Sequence, residues 1–184
     1  MKKIIYVAFA FVIVALFLSS CLTIEKKSYT FELTGSNAGK LTIKYYNIMS
    51  SGNNDTTDET KADFDELTSG YVLGDKMQNE YPTATNINKR LFEENGQLCG
   101  EVTLDFPDLK GAKLFQYDKK SPVMMYLSSM NTEYYLSSNG LYGGDVMPVV
   151  FWSAKTKKLE LTTSGTKPGD GTKSLLDQYK AWKK

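Results

Sequence analysis

Histidine is absent from the 184 residues, and only a single arginine, Arg90, is present. The lack of histidine excludes catalytic triads in which imidazole is the base, and it excludes zinc or copper sites with histidine ligands. A single guanidinium restricts bidentate recognition of phosphate or carboxylate to one position. Any catalysis would therefore use carboxylates, lysine, tyrosine or a thiol, and no complete catalytic set of these is evident. We predict that the chain is not an enzyme and has no catalytic residues, cofactor or metal site.

A strong charge of either sign is also missing. The sequence has 22 basic and 21 acidic residues, and Lys2 and Lys3 are the only charged residues in the first 20. Without that segment, the chain has 20 basic and 21 acidic residues. This balance lacks the basic patch of a nucleic-acid-binding protein, and we expect no nucleic-acid partner.

The first 20 residues have the pattern of a signal peptide. Lys2 and Lys3 precede an unbroken apolar run from Ile4 to Leu18, which small residues follow. The run is shorter than the roughly 20 residues of a membrane-spanning helix, and its length suits a secretory signal. An uncleaved signal anchor is the alternative, because Leu22 and Ile24 would lengthen the run.

Leu18-Ser19-Ser20-Cys21 resembles the lipobox of bacterial lipoproteins. The resemblance implies cleavage between Ser20 and Cys21 and attachment of lipid, including palmitate, to Cys21. Two or three acyl chains would hold the protein firmly at a membrane. Leu22 follows the cysteine where an aspartate often retains such proteins in the inner membrane. The resemblance therefore implies export to the cell envelope and anchoring in the outer membrane. Whether the protein faces the periplasm or the cell surface is left open.

The rest of the chain predicts one α+β domain and resembles no characterised family. We divide the sequence into a signal peptide (1–20), a lipidated tether (21–27) and a single domain (28–184). With Cys21 modified, Cys99 would have no cysteine partner, so the fold has to depend on its core. We expect Cys99 to be a small packed residue on a strand.

Alternating apolar and polar residues predict a mainly antiparallel sheet. Residues 28–49 alternate on either side of a Gly/Asn turn, which indicates a β-hairpin. Asn95-Gly96 between two further strand-like runs indicates a second hairpin. Asn139-Gly140 and the segment Ser153–Lys157 are candidate turns of two more hairpins. The apolar run Pro122–Leu127 favours a strand buried on both faces.

One or two helices and a C-terminal helix are expected to pack on this sheet. Thr60 and Asp63 have the spacing of a capping box before Phe64, Leu67 and Tyr71. A short helix is expected after Pro107, and a terminal helix is expected over Ser174–Trp182. From Lys40 to Leu127 the order strand, helix, strand, strand, helix, strand also fits a ferredoxin-like core with extra hairpins.

Three features could carry chemistry, and the details of the first two do not support it. Gly165–Ser174 lacks the adjacent Gly-Lys of a phosphate loop and reads as a surface loop. An acidic cluster has no calcium-loop register and reads as the start of a helix; its members are Asp55, Asp58, Glu59, Asp63, Asp65 and Glu66. Four aromatic residues are either core or a contact surface; they are Tyr134, Tyr135, Tyr142 and Trp152.

These observations favour a membrane-anchored envelope lipoprotein with a non-catalytic interaction or accessory role. Its expected partners are the membrane, through the lipid on Cys21, and an envelope protein. The alternative is a lipoprotein that binds a glycan or small ligand through the Tyr134–Trp152 region.

Overall fold

The computed structural model describes residues 21–35, 37–51, 57–127 and 133–184. The chain is α+β and mostly antiparallel sheet, as predicted. Its strands are β1 (Leu22–Leu33), β2 (Gly39–Ser50), β3 (Thr85–Glu94), β4 (Gln97–Phe106), β5 (Val123–Tyr126), β6 (Tyr134–Ser138), β7 (Leu141–Tyr142), β8 (Val149–Trp152), β9 (Lys158–Ser164) and β10 (Lys173–Ser174). The helices are α1 (Thr57–Glu66), a π-helical segment (Leu67–Val72), α2 (Lys76–Glu80), a 3-10 turn (Lys110–Ala112) and α3 (Leu176–Trp182).

A large sheet has the strand order β3-β4-β2-β1-β9-β6, and β10 pairs with the end of β2. The predicted first hairpin is confirmed, because Tyr29 pairs with Ile43 and Phe31 pairs with Leu41. These four side chains are buried on one face, while Thr30 and Thr42 face the other side. The expected tether at 21–27 is wrong, because β1 begins at Leu22 and pairs there with Ser50. Leu22 and Ile24, which the prediction placed in the tether, alternate with polar residues as part of strand β1.

The second hairpin is also confirmed. Strands β3 and β4 pair antiparallel around Asn95 and Gly96, whose φ angles are 52° and 75°. Positive φ at both central residues is what a type I′ turn requires, and asparagine and glycine adopt it most readily. The turn fixes the register that points Leu98, Val102 and Leu104 into the core.

The ferredoxin-like order is present in its first half only. Strand β4 lies between β2 and β3 and is antiparallel to both, with helices in the connection from β2 to β3. The fourth strand, β5, lies in a separate sheet, and a single 3-10 turn replaces the second helix. The physical reason is that β1 pairs with the free edge of β2, where the fourth strand would lie.

A small sheet with the order β5-β8-β7 covers part of the large one. The predicted hairpins at Asn139-Gly140 and at Ser153–Lys157 are wrong, because each joins strands of different sheets. Neither Asn139 nor Gly140 has the positive φ of a type I′ turn. Instead, the Oδ1 of Asn139 accepts hydrogen bonds from Trp152 Nε1 and Glu160 N, each at 2.8 Å. These bonds hold the corner at which the chain leaves the large sheet.

Two covers bury the apolar face of the large sheet. At one end, the inner side chains of the small sheet pack on the large sheet; they include Val123, Met125, Val150 and Trp152, against Phe31, Leu41, Leu104 and Phe106. At the other end, α1, the π-helical segment and α3 pack on Ile48 and Leu98 through Phe64, Leu67, Leu175 and Tyr179. Tyr45 and Tyr71 contact both clusters and mark the seam between the covers.

The helices differ in detail from the prediction. Helix α1 begins at Thr57, so Thr60 lies within it and does not cap it. The helix continues past Gly70 as a π-helix and ends where Leu73 N donates to Thr68 O. The C-terminal helix is confirmed, and Leu176 and Tyr179 form its buried stripe.

Phe31→Ala tests whether the core alone supports the fold. Phe31 is fully buried and its ring contacts Trp152, with the centroids 6.4 Å apart. We expect this substitution to lower the free energy of unfolding by about 3–5 kcal/mol, because it leaves a cavity. Thr30→Ala, on the opposite face of the same strand, is the matched control and should cost less than about 1 kcal/mol. Equal losses in chemical denaturation would contradict this account.

Candidate functional site

A cavity of about 270 Å³ lies at the seam between the two covers, and it is partly open. Strands β1 to β4 form one wall, and the π-helical segment with α2 forms the other. Most of its lining is apolar; these residues are Leu22, Ile24, Tyr45, Ile48, Leu67, Tyr71, Val72, Met77, Leu91, Gly100 and Val102. The cavity exists because the small sheet and the helices cover different ends of the same face.

Gly100 lies in the floor of this cavity, beneath two of its aliphatic side chains. A Cβ atom at this position would lie 3.2 Å from Ile48 Cδ1 and 3.5 Å from Leu91 Cδ2. Even a methyl group would therefore crowd Ile48. The glycine interrupts an inward-facing row of β4 whose other members are large, and Ile48 and Leu91 pack over it.

Among the described residues, six charged residues line the cavity, and all but one of them form an ion pair. Lys27 pairs with Glu133 at 2.5 Å, and Arg90 pairs with Glu101 at 2.8 Å. Glu80 pairs with Lys113 at 2.6 Å. Lys89 is the exception, because within the described ranges its ammonium group makes no ion pair and donates to the carbonyl of Gly74 at 2.6 Å.

Tyr45 adds a hydroxyl group with a weak partner. Its O–H donates to Met77 Sδ at 3.9 Å, and a thioether sulfur is a poor acceptor. Burial, followed by the nearby charge of Glu80, raises the pKa of Tyr45 well above its usual value. The hydroxyl therefore stays protonated and remains a donor at neutral pH.

Glu133 is the most enclosed charge of the site. Its carboxylate accepts from Lys27 Nζ, from the Tyr29 hydroxyl at 3.1 Å and from Thr163 Oγ1 at 2.6 Å, and its side chain is 7% exposed. The partners lie 30 or more residues away along the chain. Because these residues are far apart in the sequence, no local pattern of residues predicts the cluster. The cluster ties β1 and β9 to the segment that precedes β6.

Cys21 is held in place by contacts on both sides of its backbone. Its amide nitrogen lies 3.2 Å from Asp63 Oδ1, and its carbonyl accepts from Ser51 N at 2.7 Å. The second oxygen of Asp63 accepts from the Ser50 hydroxyl. Asp63, predicted to be part of a capping box, thus connects α1 to the start of β1. Ser20 and the rest of the lipobox lie outside the described residues.

The structure separates the four aromatic residues that were candidates for a contact surface. Trp152 is 1% exposed and belongs to the core, so it cannot contact a glycan. The rings of Tyr135 and Tyr142 stack on each other with centroids 4.0 Å apart. Tyr134 is exposed, at the edge strand β6. Most of the exposed apolar side chains in this part of the chain are others.

Those exposed side chains form the outer face of the small sheet. Strand pairing aligns four apolar residues in one row across it; they are Phe115, Met124, Phe151 and Leu141. A second row contains Tyr126 and Val149. The prediction that the strand within Pro122–Leu127 is buried on both faces is wrong, because its side chains alternate between buried and more exposed positions and no further layer of the described residues covers this side. Leu141 is 73% exposed, Phe115 is 58% exposed and Tyr126 is 54% exposed.

Among the described residues, the remaining candidates form no group of metal ligands. Asp55 and the side chain of Asp58 lie outside the described residues, while Asp65 and Glu66 form ion pairs with Lys61 and Lys76. Residues 165–172 form the predicted loop, and β10 follows it. Cys99 is buried on β4 as expected, and burial raises the pKa of its thiol.

Comparisons with known proteins give no match. No protein-family model matches it, and neither a curated protein nor a solved structure is similar to it. Across the described ranges, no helix has the length and apolar character needed to cross a membrane. In the same ranges, no three cysteine or carboxylate side chains are grouped as metal ligands.

Glu133→Gln tests whether the buried carboxylate stabilises the fold. The change keeps the shape of the side chain but leaves Lys27 without its counter-charge, so we expect a loss of about 3 kcal/mol in unfolding free energy. Asp65→Asn, in the exposed pair with Lys61, is the matched control and should cost less than about 0.5 kcal/mol. A Glu133 variant as stable as the control would show that the cluster contributes nothing.

Buried tyrosines predict a loss of stability in alkali. Burial raises the pKa values of Tyr29, Tyr45 and Tyr81 above their usual value. Their contribution is complete below the unfolded pKa of about 10 and is lost as the pH rises above it, because only the unfolded chain ionises readily. In a spectrophotometric titration at 295 nm, at least these three of the 12 tyrosines should ionise only upon unfolding. Ionisation of all 12 in the folded protein would contradict this.

Proposed function

We propose that the chain is a non-catalytic interaction protein of a bacterial cell envelope. In this proposal, lipid on Cys21 anchors it to a membrane, which is the outer membrane where the organism has one. The outer face of the small sheet then binds a partner protein. The observation that carries the proposal is the row of exposed apolar side chains at paired positions Phe115, Met124, Phe151 and Leu141.

This row has the properties of a protein-binding surface. None of its members is charged, and large contiguous apolar patches on soluble domains generally mark interaction sites. Met147 extends it, because its side chain and that of Phe151 both lie close to Gly143. Aromatic residues and methionine are enriched in the cores of protein interfaces.

The position of the face relative to Cys21 favours a protein partner over the bilayer. Cys21 lies at the start of β1, whereas the small sheet covers Phe31 near the other end of that strand. Ten residues of strand span about 33 Å. A membrane that holds the lipid would therefore lie at one end of the large sheet, and the apolar face lies near the other.

The backbone contacts of Cys21 support the proposal that a lipid on this residue anchors the protein. Its backbone is fixed by Asp63 and Ser51, and the strand begins at the next residue. A lipid on Cys21 would therefore hold the folded domain directly at the membrane surface. Such a short connection restricts the height at which the domain can meet a partner.

Site-specific photo-crosslinking in the producing cells tests the docking surface. We expect p-benzoylphenylalanine in place of Leu141 to give one discrete adduct with another envelope protein. The same probe in place of Thr42, on the opposite side of the large sheet, is the matched control and should give at least tenfold less. No adduct at Leu141, equal adducts at both positions, or an adduct with a second copy of the chain would contradict the proposal.

Cys21→Ala tests the anchor in the same cells. We expect this variant to lose incorporation of an alkyne-labelled palmitate and to leave the membrane fraction, since one residue carries the lipid. Cys99→Ala is the control and should keep both properties. A Cys21 variant that remains labelled and membrane-bound would contradict the lipoprotein assignment.

A further inference from the structure

The seam cavity combines an apolar interior with a cation that makes no ion pair within the described ranges and a hydroxyl donor whose acceptor is a thioether sulfur. We propose that it binds a medium-chain monocarboxylate. The carboxylate would contact the Lys89 ammonium group and the Tyr45 hydroxyl, and the alkyl chain would lie among Ile24, Ile48 and Leu91. This inference concerns a surface distinct from the outer face of the small sheet, and it does not depend on the proposed docking function.

The volume of the cavity sets the size of the ligand. At about 270 Å³, it is roughly twice the cavity of about 150 Å³ that accommodates benzene. It therefore has room for about ten to twelve non-hydrogen atoms. A straight-chain acid of about ten carbons has this size, whereas a full-length membrane acyl chain does not fit.

The lining determines the character of the ligand body. Aliphatic side chains from four elements line the space; Leu22 and Ile24 come from β1, Ile48 from β2, Leu67 and Val72 from the π-helical segment, and Leu91 from β3. A sugar would leave its hydroxyl groups without partners against these walls, and burial of such groups is costly. An alkyl chain has no such cost and gains from leaving water.

The charge of the ligand follows from the pairing around the cavity. Lys27, Arg90, Glu80, Glu101 and Glu133 each have a counter-charge among the described residues. Lys89 has no counter-charge within that part of the chain and donates to the carbonyl oxygen of Gly74. An incoming carboxylate would supply the missing anion, whereas an incoming amine would place a second cation beside Lys89.

Tyr45 provides the second contact to the ligand head. Its hydroxyl donates only to the sulfur of Met77, at 3.9 Å. A carboxylate oxygen accepts hydrogen bonds far better than a thioether. Tyr45 lies on β2 and Lys89 on β3, with β4 between them, and both residues line the same cavity.

Titration of decanoate labelled with ¹³C at its carboxyl carbon tests the proposal directly. The full chain is reconstituted in lipid nanodiscs, and empty nanodiscs correct for partition into lipid. We expect a shifted carboxyl resonance that saturates at one equivalent of decanoate per chain. Decanol has the same alkyl chain without the charge and should compete at least tenfold more weakly than unlabelled decanoate. Absence of a saturable resonance, or equal competition by decanol, would overturn the proposal.

Two lysine variants test the role of charge. Lys89 and Lys157 each donate to a glycine carbonyl, of Gly74 and Gly35 respectively, but Lys157 is exposed at the far end of the large sheet. Lys89→Met should weaken decanoate binding by about tenfold or more, because it removes a charged hydrogen bond. Lys157→Met is the matched control and should leave binding unchanged. Equal affinities in the two variants would overturn the assignment of Lys89.

A filled cavity provides a test that does not depend on charge. Leu91→Phe adds volume at the cavity wall and should abolish the shifted resonance while the melting temperature stays within a few degrees. Ile24→Phe is the second variant if the first does not fold. Retained binding in a folded, filled variant would overturn the location. Binding only in the unlipidated Cys21→Ala chain would also overturn the proposal, because the protein's own lipid would then occupy the cavity.

Discussion

The burial of one long apolar face of the large sheet is the interaction on which the rest of the structure depends. Across the described residues no disulfide supports the fold, so this burial has to suffice. The chain meets the requirement with two separate covers, a small sheet over the end near Phe31 and a helical layer over the end near Cys21. Because a flat sheet and a group of helices do not fit edge to edge, a cavity remains at the seam.

This arrangement accounts for both candidate sites. The small sheet buries one face against the core, and no layer of the described residues lies on its other side, so its outer row of apolar residues is left exposed. The helical cover meets β1 to β4 at the seam cavity, and Gly100 lies in the lining there. The two sites are therefore consequences of the same two-cover solution, yet they lie on different surfaces and would serve different partners.

Local patterns predicted the parts of the fold that local physics determines. Asn95-Gly96 specified its turn because both residues tolerate positive φ, and alternation specified which side of β1 and β2 is buried. Asn139-Gly140 is the same dipeptide but forms a corner between the two sheets, since the Asn139 side chain accepts hydrogen bonds from Trp152 and Glu160. The partners of Glu133, and the presence of Lys89 and Tyr45 in the lining of one cavity, depend on strand order, which no spacing in the sequence reveals. The prediction of a tether at 21–27 is wrong because pairing with β2 extends β1 to Leu22.

Methyl NMR of the protein with decanoate most directly tests the claim that the seam is a ligand site. The account predicts that methyl resonances of Ile24, Ile48, Leu67 and Leu91 shift together and saturate, since these side chains line the cavity. The methyl resonances of Val123 and Val150, beneath the small sheet, should stay in place. Shifts confined to the small sheet, or spread evenly over both covers, would contradict the account.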